Sequence, residues 1–345
     1  MVESLDDGGW RKSRSLAFRS AVAFAAVAAI STSAVGQTKK PVNAEQWDQV
    51  KPLFKIVEEV AAGAPAPADV TLTWQCHFVD AVAGVVLVPF TVKIEHGEFS
   101  SFPVAMYLRV VTRGAPAPAP GPRDALAQYP FEDAAIFVQP NDGRISRAFV
   151  APPGEYDVYV ALTEKPALER PPPKTVVLKQ AVSVPDLKSD LAVSSIIVYD
   201  RIEVDPRNGR PSFEDQLDEP YALWGTRLTP AIRNTFGRGE NLSMIFLVYN
   251  ASAAADDKPD VEVRYTFHRR ADPAETVFTG ARPEFFNAET LGRAFSLAAG
   301  DLIIAGQQMP LASFPDGEYR LEITVTDNTT RKSLTRDVTF AVGGS

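Results

Sequence analysis

The sequence predicts an all-β protein made of two tandem immunoglobulin-like β-sandwich domains with a short N-terminal helix. Proline is abundant, at 28 of 345 residues, and it separates many short apolar runs, as expected where strands alternate with turns. Apolar and polar residues alternate in most of these runs, which is the period of a half-buried strand. One pattern of two successive strands also occurs twice along the chain, which indicates two related modules.

The internal repeat is centred on two copies of the tripeptide Gly-Glu-Tyr, at 154–156 and 317–319. Each copy opens a strand, and each is followed by a turn-rich stretch and a last alternating strand, at 175–184 and 333–342. The apolar residues that share a face of the opening strands are Val158, Val160 and Leu162 in the first copy and Leu321, Ile323 and Val325 in the second. Two modules that close with the same hairpin are therefore expected.

The repeated tripeptide also predicts a specific contact. Glycine permits a tight turn before the strand, and the tyrosine that follows buries its ring while its hydroxyl bonds back to the chain, as in the tyrosine corner of immunoglobulin-like sandwiches. The second cysteine of antibody domains would stand two residues after the tyrosine, where this chain has Val158 and Leu321. The pattern therefore resembles the disulfide-free branch of the architecture.

These features divide the chain into four predicted segments. Residues 1–36 are a signal peptide, 37–68 an N-terminal helix with a Pro/Ala linker, 69–187 the first β-sandwich and 188–345 the second. The module boundary is placed in the connection near 185–190, after the first closing hairpin.

The N-terminal segment has the composition of an export signal. Basic residues between Arg11 and Arg19 precede an uninterrupted apolar run at 21–30, and Ala34-Val35-Gly36 fits the small-x-small rule for cleavage before Gln37. The run is about half the ~20 apolar residues that span a bilayer, so no transmembrane span is expected after cleavage. The protein is predicted to be exported, to the periplasm or the extracellular space. An uncleaved N-terminal anchor is the alternative.

A helix is predicted from Asn43, which can cap it together with Gln46, to about Ala62. Pro52 predicts a kink or two short helices. The apolar stripe is expected to cover a neighbouring sheet, the alternative being a partner- or membrane-docking face; it comprises Trp47, Val50, Phe54, Val57 and Ala61. Residues 63–68, rich in proline and alanine, predict a stiff, extended spacer.

Composition excludes several classes of function. The formal charge of −8 argues against nucleic-acid binding, which depends on lysine and arginine neutralising phosphates. Cys76 is the only cysteine, so neither an intramolecular disulfide nor a Cys-x-x-Cys zinc site is possible. The sequence has no H-E-x-x-H, G-x-S-x-G, Walker or G-x-G-x-x-G motif, so no catalytic residue and no cofactor is assigned.

Two groups of residues are candidates for chemistry. Cys76 and His77 are adjacent but are expected on opposite faces of a strand, so we interpret Cys76 as a buried apolar side chain rather than a nucleophile. His77, His96 and His268 are the only histidines, too scattered to predict a transition-metal site, and His268 is expected to face solvent or a partner.

The segment 205–220 is rich in carboxylates, which calcium prefers. Asp205, Asp215 and Asp218 are the weak calcium candidates, since the D-x-D-x-D-G spacing is absent. A solvated acidic loop is the alternative.

Four aromatic residues suggest a platform for a sugar or peptide, although alternating aromatics usually belong to a core. They are Tyr221, Trp224, Phe236 and Phe246.

Four stretches, 88–91, 148–160, 241–250 and 310–342, together resemble exported, largely uncharacterised bacterial proteins. Some of those proteins carry such β-rich regions beside von Willebrand A-like or GWxTD-type domains. The resemblance implies an envelope location and a sandwich fold. It carries no catalytic residues, and this chain lacks the D-x-S-x-S metal-adhesion motif of A-domains.

The sequence therefore predicts a non-catalytic interaction or scaffold protein of the cell envelope, monomeric or weakly associating. Its partner is expected to be another envelope or extracellular protein, bound by loops or an exposed edge strand. A carbohydrate-binding accessory module is the alternative, and a hydrolase assembled from loop carboxylates comes third.

Overall fold

The fold is seen in a computed structural model, which describes residues 44–80, 85–94, 99, 103–115, 130–137, 143–164, 172–205, 212–223, 225–271 and 274–343. The predicted signal peptide, the helix cap at Asn43, His96 and Trp224 lie outside these ranges. Within them the chain is all-β, as predicted, with immunoglobulin-like sandwiches and an N-terminal helix. No helix of the described part is long and apolar enough to cross a membrane.

The first sandwich packs two sheets against each other. The strands are β1 Leu72–Cys76, β2 Val79–Asp80, β3 Val86–Ile94, β4 Val104–Thr112, β5 Phe131–Phe137, β6 Arg144–Ala151, β7 Gly154–Glu164 and β8 Thr175–Val184. In one sheet β3 lies between β6 and the consecutive short strands β1 and β2; in the other the order is β5-β4-β7-β8. All of these pairs are antiparallel.

The strands of the second sandwich are β9 Ala192–Val193, β10 Ile197–Val204, β11 Ala222–Leu223, β12 Thr226–Pro230, β13 Thr235–Phe236, β14 Asn241–Tyr249, β15 Val261–Ala271, β16 Ala274–Gly280, β17 Glu284–Phe286, β18 Ile303–Pro310, β19 Gly317–Asp327 and β20 Lys332–Val342. Its sheet orders are β11-β12-β10-β14-β18, with β9 also on β14, and β13-β20-β19-β15-β16, with β17 also on β15. The boundary predicted between 187 and 188 lies in the connection from β8 to β9.

Both predicted tyrosine corners are present. The hydroxyl of Tyr156 donates to the carbonyl of Pro152 over 2.9 Å, and that of Tyr319 donates to the carbonyl of Pro315 over 2.6 Å. Gly317 has a φ of +149°, a conformation that side chains with a Cβ rarely adopt, which explains the glycine before the tyrosine. The repeated hairpins β7–β8 and β19–β20 pair in continuous register, as the internal repeat predicted.

Helix α1 (Ala44–Ala61) covers the outer face of the β5-β4-β7 sheet. It runs through Pro52 as one continuous helix, so the two-helix alternative is wrong. The predicted stripe is also wrong at Ala61, which is exposed at the helix end. The buried positions are one turn apart along a slightly rotated face, namely Val50, Leu53, Val57 and Val60.

Beneath this helix lies a buried polar group. Arg109 is only 3% exposed, and its Nε donates to the hydroxyl of Tyr107 over 2.7 Å. Tyr107 in turn donates to the carboxylate of Glu132, and Glu58 on α1 lies 3.9 Å from the Arg109 guanidinium. A buried cation needs such partners, so the helix seals a polar cluster that the sheet cannot leave uncovered.

The hydrophobic core of the first sandwich extends onto the second sandwich, which also has a separate core of its own. Residues Val86 to Val92 of β3 are all buried, although successive side chains of a strand point to opposite faces. One face therefore packs inside the first sandwich and the other packs outward. The same buried cluster continues into the second sandwich through Ile197, Tyr199, Tyr221, Leu223, Leu228, Leu247 and Tyr249.

Polar contacts across the interface also hold the two sandwiches together. Phe78 and Ser195 are joined twice, by the Phe78 amide to the Ser195 hydroxyl (2.8 Å) and by the Ser195 amide to the Phe78 carbonyl (2.9 Å). Arg144 donates to the carbonyl of Pro230 over 2.8 Å. Arg147, 9% exposed, binds both Asp133 of its own sandwich and Asp218 of helix α2 (Phe213–Asp218). The interface is therefore both apolar and hydrogen-bonded.

The substitution Arg147→Met should lower the free energy of unfolding by about 3 kcal/mol, because the half-buried carboxylates of Asp133 and Asp218 lose their shared cation. Arg201→Met is the matched control. Arg201 pairs with Glu203 on the surface, where the side chains are 69% and 55% exposed, so its loss should cost no more than about 0.5 kcal/mol. Urea unfolding measures both values. Equal costs for the two variants would contradict the role assigned to Arg147.

Candidate interaction site

The last strand of the first sandwich, β8, lies at the edge of its sheet. Its ten residues pair with β7 in continuous register, from Thr175 opposite Thr163 to Val184 opposite Gly154, without a bulge. The described residues cover its other side at the start of the strand. Among the described residues, no strand pairs with β8 beyond Val177 on that side. We call the uncovered side of Leu178–Val184 the open edge.

The start of β8 is covered by the chain's own Pro/Ala linker. The amide of Val177 donates to the carbonyl of Pro67 over 2.9 Å, and the amide of Asp69 donates to the carbonyl of Thr175 over 3.3 Å. Ala68 forms an antiparallel bridge with Val176. The linker is extended, as predicted, but it is not a free spacer. It shows that this edge accepts an added extended segment.

These contacts fix which backbone groups face outward. Because the amide of Val177 points away from β7, alternation along the strand makes the amides and carbonyls of Lys179, Ala181 and Ser183 point the same way. All three residues are exposed. Pro185, which has no amide hydrogen, ends the row. The open edge thus offers three donors and three acceptors between two closed ends.

The side chains beside the open edge carry balanced charge. Lys179 lies 3.2 Å from the carboxylate of Asp157 and 5.4 Å from the ring centre of Tyr159. Glu155 accepts from Ser183 and lies 3.0 Å from the guanidinium of Arg113. A partner strand would therefore meet a lysine at one end of the edge and a glutamate at the other.

A cleft of about 550 Å³ opens where the edge ends. Ser183 and Pro185 line it from the first sandwich, and Arg233, Arg336 and Phe340 line it from the second. Arg233 is held by Asp200 and Glu240. The cleft is thus a groove between the two sandwiches, continuous with the open edge through Ser183.

Cys76 and His77 also line this cleft, and they do not act as a pair. Burial raises the pKa of the Cys76 thiol to about 11, so the thiol stays protonated at neutral pH. His77 is 3% exposed, and its Nδ1 shares a hydrogen bond of 2.9 Å with the Tyr221 hydroxyl across the interface. Burial lowers the pKa of His77 to about 4, so the imidazole is neutral. Its role is structural.

The calcium candidates are not brought together. Asp205 is 1% exposed and lies 3.7 Å from the guanidinium of Arg227, while Asp218 binds Arg147. Asp215 closes a capping box with Ser212 at the start of α2, a helix that the sequence did not predict. Within the described ranges, no group of three or more histidine, cysteine, aspartate or glutamate side chains has the arrangement of a metal site.

His268 and the aromatic candidates take different environments. His268 lies on the outer face of its sheet, as its alternation predicts, but it does not face open solvent: its side chain is 15% exposed, with Glu275 at 3.5 Å and Glu322 at 3.7 Å. Tyr221, Phe236 and Phe246 are at most 4% exposed, so they belong to the cores and form no surface platform. Trp224 lies outside the described residues.

No family model and no curated protein matches the sequence. Among solved structures, the chain is similar to trypsin-activated alpha-2-macroglobulin from Escherichia coli, with 14% identity and a TM-score of 0.21, over 81% of this chain and 17% of that one. It is also similar to Escherichia coli alpha-2-macroglobulin activated by porcine elastase, with 10% identity and a TM-score of 0.22, over 81% and 22%. The chain spans about a fifth of those structures. The two pairs of sheets and the two tyrosine corners define the immunoglobulin-like fold of this chain.

The buried His77 predicts a pH dependence of stability. Its pKa is about 4 in the folded protein and near 6.5 when exposed, so the unfolded state binds more protons between these values. Stability should therefore fall as the pH drops from about 6.5 to 4. The variant His77→Gln lacks this contribution, so its deficit relative to the wild type should shrink by about 2 kcal/mol between pH 7.5 and 4.5. Urea unfolding at both pH values measures the difference, and an unchanged deficit would contradict it.

Proposed function

We propose that this chain is an exported, non-catalytic interaction protein of the cell envelope that binds an extended segment of a partner along the open edge. The observation that carries the proposal is the geometry of β8, where three outward amides and three outward carbonyls stand in regular register between the covered Val177 and Pro185. Strand addition to a sheet edge takes its affinity from such main-chain groups. Export is supported by the composition of residues 1–36 and by the resemblance to exported proteins.

The rest of the site supports binding rather than catalysis. The thiol of Cys76 is protonated, the imidazole of His77 is neutral and bonded to Tyr221, and Arg233 is neutralised by two carboxylates. Of these groups, His77 has a structural role at the interface through its bond to Tyr221. The cleft between the sandwiches would receive the part of the partner that continues past Ser183.

The variant Ala181→Pro tests the proposal in the native envelope. Proline removes one outward amide and places its ring at the edge, without breaking a bond to β7, because the Ala181 amide points away from that strand. The tagged mature chain should capture a protein partner in near-equal amount after cross-linking. Capture should fall roughly tenfold or more in Ala181→Pro, since one lost ladder bond and a steric clash together exceed about 1.4 kcal/mol.

Ala181→Thr is the matched control, because threonine keeps the amide and suits a strand. It should capture as the wild type does. Thermal unfolding followed by circular dichroism establishes that both variants are folded. Undiminished capture by Ala181→Pro would refute binding along the open edge, and recovery of polysaccharide in place of protein would favour the carbohydrate alternative.

A further inference from the structure

The open edge has a symmetric outline. It begins after Val177, whose amide is already bound to Pro67, and it ends before Pro185, which has no amide hydrogen. The seven residues between them are centred on Ala181. Lys179 and Ser183 stand at equal distances on either side of it, and their outward groups match those of Ala181 in direction.

We propose that a second copy of this chain pairs with the open edge, antiparallel and two-fold symmetric about Ala181. This inference rests on the proposed function and names its partner. Ala181 would stand opposite Ala181 of the second copy, and Lys179 opposite Ser183 of the second copy. In that register every outward amide of one copy meets an outward carbonyl of the other. A shift by one residue would set outward groups against inward ones, so the register is restricted.

The charges beside the edge fit the same arrangement. Lys179 of one copy would stand opposite Ser183 of the other, whose hydroxyl donates to Glu155. The lysine would therefore approach a glutamate that is 55% exposed, and the two lysines would stand at opposite ends of the pairing. Opposite charges across a strand pair stabilise it, whereas like charges directly opposite each other destabilise it.

The side chains on the core side of the edge are also complementary. Leu178 would stand opposite Val184 of the second copy, and Gln180 opposite Val182 of the second copy. Val182 and Val184 are both 3% exposed and belong to the core of the first sandwich, against which Leu178 also packs. The pairing would extend this core across the two-fold axis with an apolar contact at each end.

The β16 edge of the second sandwich is less suited to such pairing, although it carries the exposed Val277. Its register to β15 shifts between Phe267 and His268, so one residue of β16 is bulged out of the ladder. A bulge bends the strand and disrupts the row of outward groups, which protects an edge from added strands. The straight β8 edge has no such protection beyond Val177.

Disulfide trapping tests the register directly. Residues that face each other as a hydrogen-bonded antiparallel pair have Cα atoms about 5.5 Å apart, which a disulfide can span. The purified mature variant Ala181→Cys should therefore form a covalent dimer under mild oxidation. Ser183→Cys is the matched control on the same exposed row. Its two copies would lie roughly 13 Å apart along the strands, too far for a disulfide, so it should form no covalent dimer. Cys76, present in both and in the wild type, sets the background.

Sedimentation of the wild type over roughly 1–100 μM should show a concentration-dependent dimer, because a short strand pair buries little area and binds weakly. Ala181→Pro should remain monomeric over the same range, and Lys179→Glu should dimerise less, with recovery when combined with Glu155→Lys. Equal cross-linking of Ala181→Cys and Ser183→Cys, or a wild type that stays monomeric throughout, would overturn the proposal. If these assays fail while capture in the envelope still depends on Ala181, the partner is a different protein. Failure of both assays removes the open edge as a binding site.

Discussion

The burial of β3 on both faces is the constraint on which the rest of the structure depends. An antiparallel sheet of a small sandwich usually leaves its outer face exposed to solvent, so polar and apolar residues alternate along its strands. In β3 the run from Val86 to Val92 is closed on both sides, which requires the second sandwich to stand against the first. The two sandwiches are therefore not independent modules on a tether, and their relative placement is set by a shared apolar core.

Two edges of the first sandwich are partly covered. The β6 edge is covered by helix α2 through the contact of Arg147 with Asp218, and the start of β8 is covered by the linker. The part of β8 left uncovered is a short, regular stretch that ends at the cleft between the sandwiches. Because the second sandwich packs against the first, the open edge and the cleft lie side by side. A site whose parts are already in place loses less entropy on binding an extended segment.

Local patterns predicted the elements whose stability is local. The hairpin strands β8, β19 and β20 each have one face more buried than the other, so the alternation is visible. Strand β7 is buried on both faces from Val158 onward because α1 covers its outer face, and it was identified from the repeat that it shares with β19. The tyrosine corners followed from a tripeptide whose chemistry is complete within a few residues. The helix was found from its apolar stripe, although Ala61 was misplaced, because helical spacing alone does not fix which rows of side chains meet the sheet.

The missed elements depend on partners distant in sequence. In strand β6 a charged residue, Arg147, occupies a buried position, where Asp133 and Asp218 stabilise it. Polar and apolar residues therefore do not alternate along β6. In β18, Gly306 interrupts the pattern because a Cβ there would lie 2.4 Å from the carbonyl oxygen of Met244. The segment 205–220 was interpreted from its charge alone, so the capping box at the start of α2 was missed. No sequence pattern predicted the open edge, because its extent depends on how far the linker covers β8.

The buried surface that the two sandwiches share predicts that they unfold cooperatively. Two sandwiches joined only by a chain would unfold separately, whereas two that share buried surface around β3 unfold together. Differential scanning calorimetry of the mature chain at neutral pH measures this most directly. Buried surface shared around β3 predicts a single transition whose calorimetric and van't Hoff enthalpies agree. Two resolved transitions, or a calorimetric enthalpy about twice the van't Hoff value, would show that the sandwiches are independent and would contradict it.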